Sequence, residues 1–470
     1  MFTELYESCG KVFPGRKSFM DSFREDCYQE WKFASWLLHS GPSSTAIDLL
    51  LSLDMPIQPK GHSKNAIHLL YWQPIECLQA ILRNPLLVPY ISFVPRKVWT
   101  STTKICQVYD EWLTGDLAWN IQNVLPPGAN ILGVVLSSNK TSISIMMGNC
   151  MAYPLLISLA NIDASIQLKP SLHGYLLLAL LPIPKFFHKT THVCNLNKVL
   201  APLRIAATVW IMMNDPVGNL QYCYTPLASQ IADTPEESLL LATNYKNFLK
   251  AIKVLHFNGV VKPVWRDWPL SDPSNFVTPK PLHHFQKMSW DQDTKWCISI
   301  VDPAELDLCS SLIQTTVGYC AFDMGISKLK QVTGHDHRAI LHYIIGLIAG
   351  AVPQCFLVAV HVLIKFCYLS QAPTFTEDLL TKVAKSLQTF HDHKDTITHA
   401  DVQSNWEILK MELLQSVVCS IRLSGVVIQW LADPMEHAHV QEIKAPVQVG
   451  NNQNYYNQIA HHLDCLEKCF

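Results

Sequence analysis

The chain of 470 residues is poor in charge: Asp, Glu, Lys and Arg supply 16% of it, against about 25% in an average soluble domain. Its 36 basic and 38 acidic residues give a formal net charge of −2, and no run of Lys or Arg exceeds two residues. A basic tail is therefore excluded, and any nucleic-acid partner has to be held by a local patch on the folded surface. Cys-x-x-Cys pairs are missing although there are 15 cysteines, an odd and scattered set. That pattern argues against a disulfide framework and for reduced, buried thiols in an intracellular protein. Cys465 and Cys469 lie one helical turn apart without a second pair, which is weak ground for a metal. No GxSxG, HExxH or phosphate-loop pattern occurs, so hydrolase and nucleotidase readings have no local motif behind them. The N-terminal MFTELYESCGKVF lacks the apolar core of a signal peptide, so the protein is expected not to be secreted, and the sequon Asn139-Lys140-Thr141 carries no weight.

What the chain has is apolar residues, 49% of the total, enough for a sizeable core in two to four domains at roughly 100–200 residues each. Residues 1–116 read as a helical, tryptophan-rich region, and VYDEWLTGDLAWNIQNVL as an amphipathic helix stopping at Pro126-Pro127-Gly128. From Asn130 the pattern changes. ILGVVL, YPLLISLA and YLLLALLPIP are short apolar runs of strand length, NDPVGN reads as a hairpin turn, and PLASQIAD as a further strand. TPEESLLLATNYKNFLKAI follows with helix-start chemistry at Thr234, Pro235 and Glu237. Residues 257–420 read as helical, including an amphipathic helix with Leu380, Val383, Leu387 and Phe390 on one face. In residues 421–470, IRLSGVVIQW reads as a strand and DPMEHAHVQEIK as a helix with Asp433 at its cap. Tyr343–Ile364 holds no charged residue and imitates a membrane span. Gly350, Pro353, Gln354 and His361 favour a buried helical hairpin over the alternative of a membrane protein spanning at 343–364.

Three polar positions share a context: Asn139 after the first core strand, Asp233 after the fourth, Glu436 in the first turn of a late helix. Acids gathered from separate strands and a helix can hold two divalent ions roughly 3.5–4 Å apart, the arrangement that drives in-line phosphoryl displacement. Mg²⁺ is a hard cation and needs charged oxygen for this. Each position also has a plain structural use: Asn139 in a turn, Asp233 at the positive end of a helix, Glu436 in a capping box with Asp433.

The chain resembles the Plavaka transposases, CACTA-like fungal cut-and-paste elements. The resemblance rests on EWLTGDLAWNIQNVLPPGANILGVVLSSNKTSISIM, NDPVGNLQYCYTPLASQIADTPEE, WRDWPLSDPSNFVTPKPLHHFQKMSWDQDTKWC and GVVIQWLADPMEHAHVQEIKAPVQVGNNQNY. It implies an α/β, RNase H-like mixed sheet (residues 117–256), with a helical N-terminal region (1–116) and a long all-helical insertion (257–420) before the last strand and acid-bearing helix (421–470). The catalytic acids it implies are Asp233, Glu436 and a first Asp at SSDKT, where this chain reads SSNKT and has Asn139. Asp233 and Glu436 would be the remaining metal ligands, Mg²⁺ or Mn²⁺ the ancestral cofactor, with none bound in this copy as the alternative. Transposon terminal repeats, further copies of the chain or active transposase relatives would be the partners, in the nucleus and with no membrane. Shortened stretches after ATNYKNF and around HKTTHVCNLNKVLAPL, and no upstream Cys/His finger, fit a degenerate, truncated copy. The expectation is a transposase-derived protein with little or no DNA cleavage, against a non-catalytic DNA- or protein-binding relic that interferes with active transposases.

Further candidates for DNA contact are His283 and His284, with loop packing as the equal alternative, and Trp265 and Trp268, for which core anchoring is the safer reading. His437 and His439, two apart on a helix, diverge and are not expected to share a zinc. The HDH triplets at 335–337 and 391–393 are expected on solvated helix ends, without a site.

Overall fold

Four of the strand-like runs and a short edge strand meet in one sheet. The computed structural model describes residues 69–139, 141–144, 150–181, 194–232, 265, 268–272, 275, 285–450 without positions 315, 331, 407 and 432, and 455–467. The sheet contains β1 (Leu70–Tyr71), β2 (Val134–Ser138), β3 (Pro154–Leu159), β4 (Leu176–Leu180) and β5 (Leu227–Ala232), in the order β1-β4-β3-β2-β5. β2, β3 and β4 form an antiparallel meander, and β5 returns parallel to β2 on its free side. Ser138 is thereby paired with Leu155 on one side and Ala232 on the other.

Period-two alternation sends the strands' side chains to two cores, which is why these runs are apolar throughout. Val134 and Leu136 face helix α1 (Pro74–Arg83); α2 (Asp116–Val124) buries Ala118 and Ile121 in the opposite core, and α3 (Cys194–Val209) packs on the same side as α1. Val135 of β2, with Leu156 and Ile231, faces the opposite core, closed by Trp430, Met435 and Ala438. Burying a side chain of this size contributes about 1.5–3 kcal/mol, so a slip of one register step, which exchanges the faces, is strongly disfavoured. Before β5, strands Ile211–Asn214 and Leu220–Tyr224 form the hairpin expected at NDPVGN, with Gly218 at φ 92°.

The helical part carries its own core. α4 (Gly334–Ile348) and α5 (Gln354–Leu369) are the hairpin expected at 343–364, broken where Gly350 adopts φ 87° and Pro353 precedes α5. Both helices bury apolar residues in the protein interior. Among the described residues, no single helix is long and apolar enough to cross a membrane; a pair, Val417–Ser424 with Val427–Val449, passes by length and composition but is bent by 92°. α6 (Glu377–His393) buries Leu380, Val383, Leu387 and Phe390 as its periodicity requires.

Four expectations are corrected. IRLSGVVIQW is not a strand: α7 (Val417–Ser424) runs through its start, the chain turns at Gly425 (φ 80°), and Val427–Trp430 is a 3₁₀ turn. Those residues are apolar because they are buried between the helical core and the core on the α8 side of the sheet, where α8 is the helix Asp433–His439, and burial alone does not distinguish a strand from a helix. A Cβ on Gly425 would stand 2.5 Å from the Glu111 carbonyl oxygen, so backbone packing fixes the turn. VYDEWLTGDLAWNIQNVL is not one helix but a strand (Gln107–Tyr109), a 3₁₀ turn (Trp112–Thr114) and α2. Residues 69–116 are not mainly helical, since α1 is accompanied by short strands and 3₁₀ turns; residues 1–68 lie outside the described residues. The insertion is not all-helical, because Phe375–Thr376 pairs with Tyr109 and Val108. Arg422 Nη2 reaches Glu377 Oε2 at 2.6 Å and Tyr109 Oη donates to Glu377 Oε1 at 3.3 Å, tying α6, α7 and that strand together.

Candidate functional site

The site is assembled where β2 stops. Residues 135, 137 and 139 alternate onto one face of the sheet. Val135 lies in the core there, and the Ser137 hydroxyl touches Met435 Sδ of α8 (Asp433–His439). Met435 and Ala438, three apart, are buried and seat α8 on the sheet, while Glu436 and His437 are exposed. The same alternation brings Asn139, half-buried, to the side of Glu436. The two line one cleft of about 350 Å³ with Thr141, His437, His439, Val440 and Lys444. Asn139 and Glu436, 297 positions apart, are therefore neighbours.

Asp233, next in the chain after Ala232, lies outside the described residues, as do His283 and His284. Trp268 is only 3% exposed and its Nε1 donates to the Thr225 carbonyl at 3.0 Å; Trp265 is half-buried against the same core. Both serve as core anchors here.

Two residues govern the cleft's electrostatics beside Glu436: His439, which the sequence suggested only as an improbable zinc ligand, and Lys444, which it did not single out. His439, three residues after Glu436, is 2% exposed, and its Nε2 has no hydrogen-bond partner among the described residues. Burial first, then Lys444, depress its pKa to about 4, so the imidazole is neutral at pH 7. Lys444 lines the cleft because residues Val440–Lys444 form a π-helical turn. In a regular helix of 3.6 residues per turn, position 443 would stand over 436; here Ile443 is core and Lys444 takes the open side. Glu442, buried beside it in sequence, has its pKa raised to about 7 by desolvation. The signal in the sequence was the Glu436-x-x-His439 spacing; the π turn left none.

Among the described residues, the cleft offers one carboxylate, a neutral amide, a hydroxyl, two imidazoles, of which that of His439 is neutral, and an ammonium group. Two Mg²⁺ ions bring four positive charges and require several hard anionic oxygens. The described donors do not fit that pair. Elsewhere no group of three or more His, Cys, Asp or Glu suited to a metal occurs among the described residues, and Cys465 has only His461 Nε2 at 3.9 Å. His335 is held by the Gly318 carbonyl (2.8 Å) and Cys320 Sγ (3.1 Å), and Asp336 closes a capping box with Thr333. His337 departs from the expectation of a solvated end: it is buried, next to the Trp290 ring.

A sheet flanked by helices, with a polar cleft at one strand's carboxyl end, defines a broad class of α/β proteins. Within it, the family profile described as Plavaka transposase matches residues 47–251 and 239–297, more than half of the chain, and the chain belongs to the Plavaka transposase family. The matched region contains Asn139 and Asp233 and ends before Glu436. None of the curated proteins matches.

Proposed function

We propose that this chain is a transposase-derived protein on an RNase H-like core that engages DNA in the nucleus without cutting it. The observation that carries the proposal is the cleft shared by Asn139 and Glu436. The antiparallel meander β2-β3-β4, the helix α3 and the parallel β5 beside β2 support that reading of the core, although the last strand it implies is a 3₁₀ turn and the fifth strand of the sheet is the edge strand β1; α8 packs Met435 and Ala438 on one face of the sheet. On this reading the cleft is the place of an ancestral two-metal site. It requires the alternation of β5, whose Ile231 packs on the α8 side, to continue through Asp233. Asn139 stands where the family's first carboxylate belongs, and an amide supplies a neutral oxygen in its place. Even a change outside the metal's ligand set costs about 10–100-fold in affinity or activity, and losing a ligand costs more. The scaffold then keeps DNA, or active relatives of the family, as partners.

The test is nicking of terminal-repeat DNA in Mg²⁺ or Mn²⁺ by the unmodified protein and by Asn139→Asp. No cutting by the former and measurable cutting by the latter is expected. Robust cutting by the unmodified protein would refute the proposal.

A further inference from the structure

We propose that the outer face of the hairpin Ile211–Asn214 and Leu220–Tyr224, with the end of α3, is a self-association surface on which a second copy of this chain docks face to face about a two-fold axis. None of its residues lines the cleft, and the surface asks for no nucleic acid, so it stands apart from the DNA-engaging reading.

When an antiparallel pair packs one face on a core, its solvated face is ordinarily polar. Here the register sets Met212 opposite Tyr222 and Asn214 opposite Leu220, and alternation adds Trp210 to the same side, while Met213 and Cys223 go inward. The outward side is thus aromatic and aliphatic, with the Trp210 and Tyr222 ring centroids 4.7 Å apart. Val217 in the turn, and Val209 with Ile205 one helical turn earlier on α3, leave further apolar surface open. Apart from the half-buried Tyr222, these apolar side chains are 41% (Met212) to 72% (Val217) exposed; at roughly 150–250 Å² for a large side chain, they present on the order of 600 Å² to solvent. Two such patches in contact bury about 1,200 Å², the area at which specific, stable interfaces begin.

None of these residues is charged. A polyanion finds no counter-charge on the patch, whereas an uncharged apolar surface is complementary to its own copy, the condition for an isologous contact. Tryptophan, tyrosine and methionine are also the residues that interfaces favour. The platform is ordered before a partner arrives: Asp215 Oδ1 accepts from Val217 N (3.1 Å) and Asn219 N (2.7 Å), and its Oδ2 from Asn219 Nδ2 (3.0 Å) and Gln221 Nε2 (2.9 Å). Association is spared that ordering cost. Trp210 adopts φ 75° where α3 ends, a left-handed conformation that bulky residues avoid and that recurs at functional sites. The contact is made by the face and not by strand addition at the edge, because Asn214 N–H donates to Gln79 Oε1 (2.9 Å) and its carbonyl accepts from Gln79 Nε2 (2.9 Å).

The test is sedimentation equilibrium of the full chain, without DNA, from about 1 to about 100 μM, the range in which small interfaces associate. A monomer–dimer equilibrium is expected within it. Leu220→Lys and Leu220→Glu, both substitutions of an exposed side chain, should each weaken the dimer at least about tenfold, because the new charge faces its own copy. Mixed in equal amounts, the two variants should recover a dimer, since the patches then carry opposite charge. A chain that stays monomeric at about 100 μM overturns the inference and leaves the patch to a different partner, and this result needs no variant. A dimer whose dissociation constant neither variant changes, with circular dichroism as in the parent, places the contact elsewhere and overturns it as well. Either result leaves the DNA-engaging reading as it was.

Discussion

Asp293 gives the strongest quantitative expectation. It sits in the π-helical turn Trp290–Thr294, fully buried, and neither carboxyl oxygen has a hydrogen bond of normal geometry among the described residues. The Ser289 hydroxyl offsets only a small part of the desolvation, and the pKa rises from 3.8 to about 8. In the window between those values the folded chain holds a proton that the unfolded chain has released. Stability therefore falls as pH rises from about 4 to about 8 and is level above that, at up to about 1.4 kcal/mol per pH unit. Asp293→Asn is nearly isosteric and cannot ionise, so it removes the slope. Between about pH 5 and about pH 8 the stability of the variant relative to its parent should rise by roughly 4 kcal/mol. Urea midpoints followed by circular dichroism across that range measure it. Glu111 and Glu442, both raised to about 7 mainly by burial, titrate in the same direction but are common to both chains, so they cancel in the difference. Parallel pH profiles for parent and variant would refute the assignment of a neutral, buried carboxyl group.

Two further expectations concern the supports of β2 and α8. Asn161 is a satisfied buried amide: it accepts from Gly133 N at 2.9 Å and donates to Ser92 O at 2.8 Å and Ile131 O at 2.9 Å. Asn161→Ala orphans backbone groups at the entrance to β2 and should cost about 2–4 kcal/mol in urea unfolding, whereas a loss under about 0.5 kcal/mol would show that water replaces the amide. Met435→Ala empties the contact that seats α8 on Ser137 and should cost about 2–5 kcal/mol. It should also raise hydrogen exchange at Glu436–His439 more than at β3; uniform exchange would mean that α8 is held by other contacts.

The local pattern set β2, β3, β4 and β5 as short apolar runs between turn signals, although IRLSGVVIQW, a run of the same kind, folds as a helix and a 3₁₀ turn. It also set the hairpin at NDPVGN, α6 through its spacing of Leu380, Val383, Leu387 and Phe390, and the break between α4 and α5 through Gly350 and Pro353. The residue pattern showed Asn139 and Glu436 as ends of separate elements, and only the resemblance grouped them in one site; their adjacency required the sheet register and the seat of α8, both of which depend on contacts between residues far apart in the chain. Where local preference and packing disagreed, packing prevailed. Gly425 turns because the backbone of Glu111 leaves no room for a side chain, and the apolar VVIQW becomes a 3₁₀ turn wedged between two cores. The π turn that brings Lys444 to the cleft has no signature in the residues that form it, because a widened helical turn is selected by what it packs against and not by the preferences of its own side chains. The sequence thus determined the strands and the amide at the end of β2, while the tertiary structure decided what surrounds that amide: a buried imidazole and a lysine.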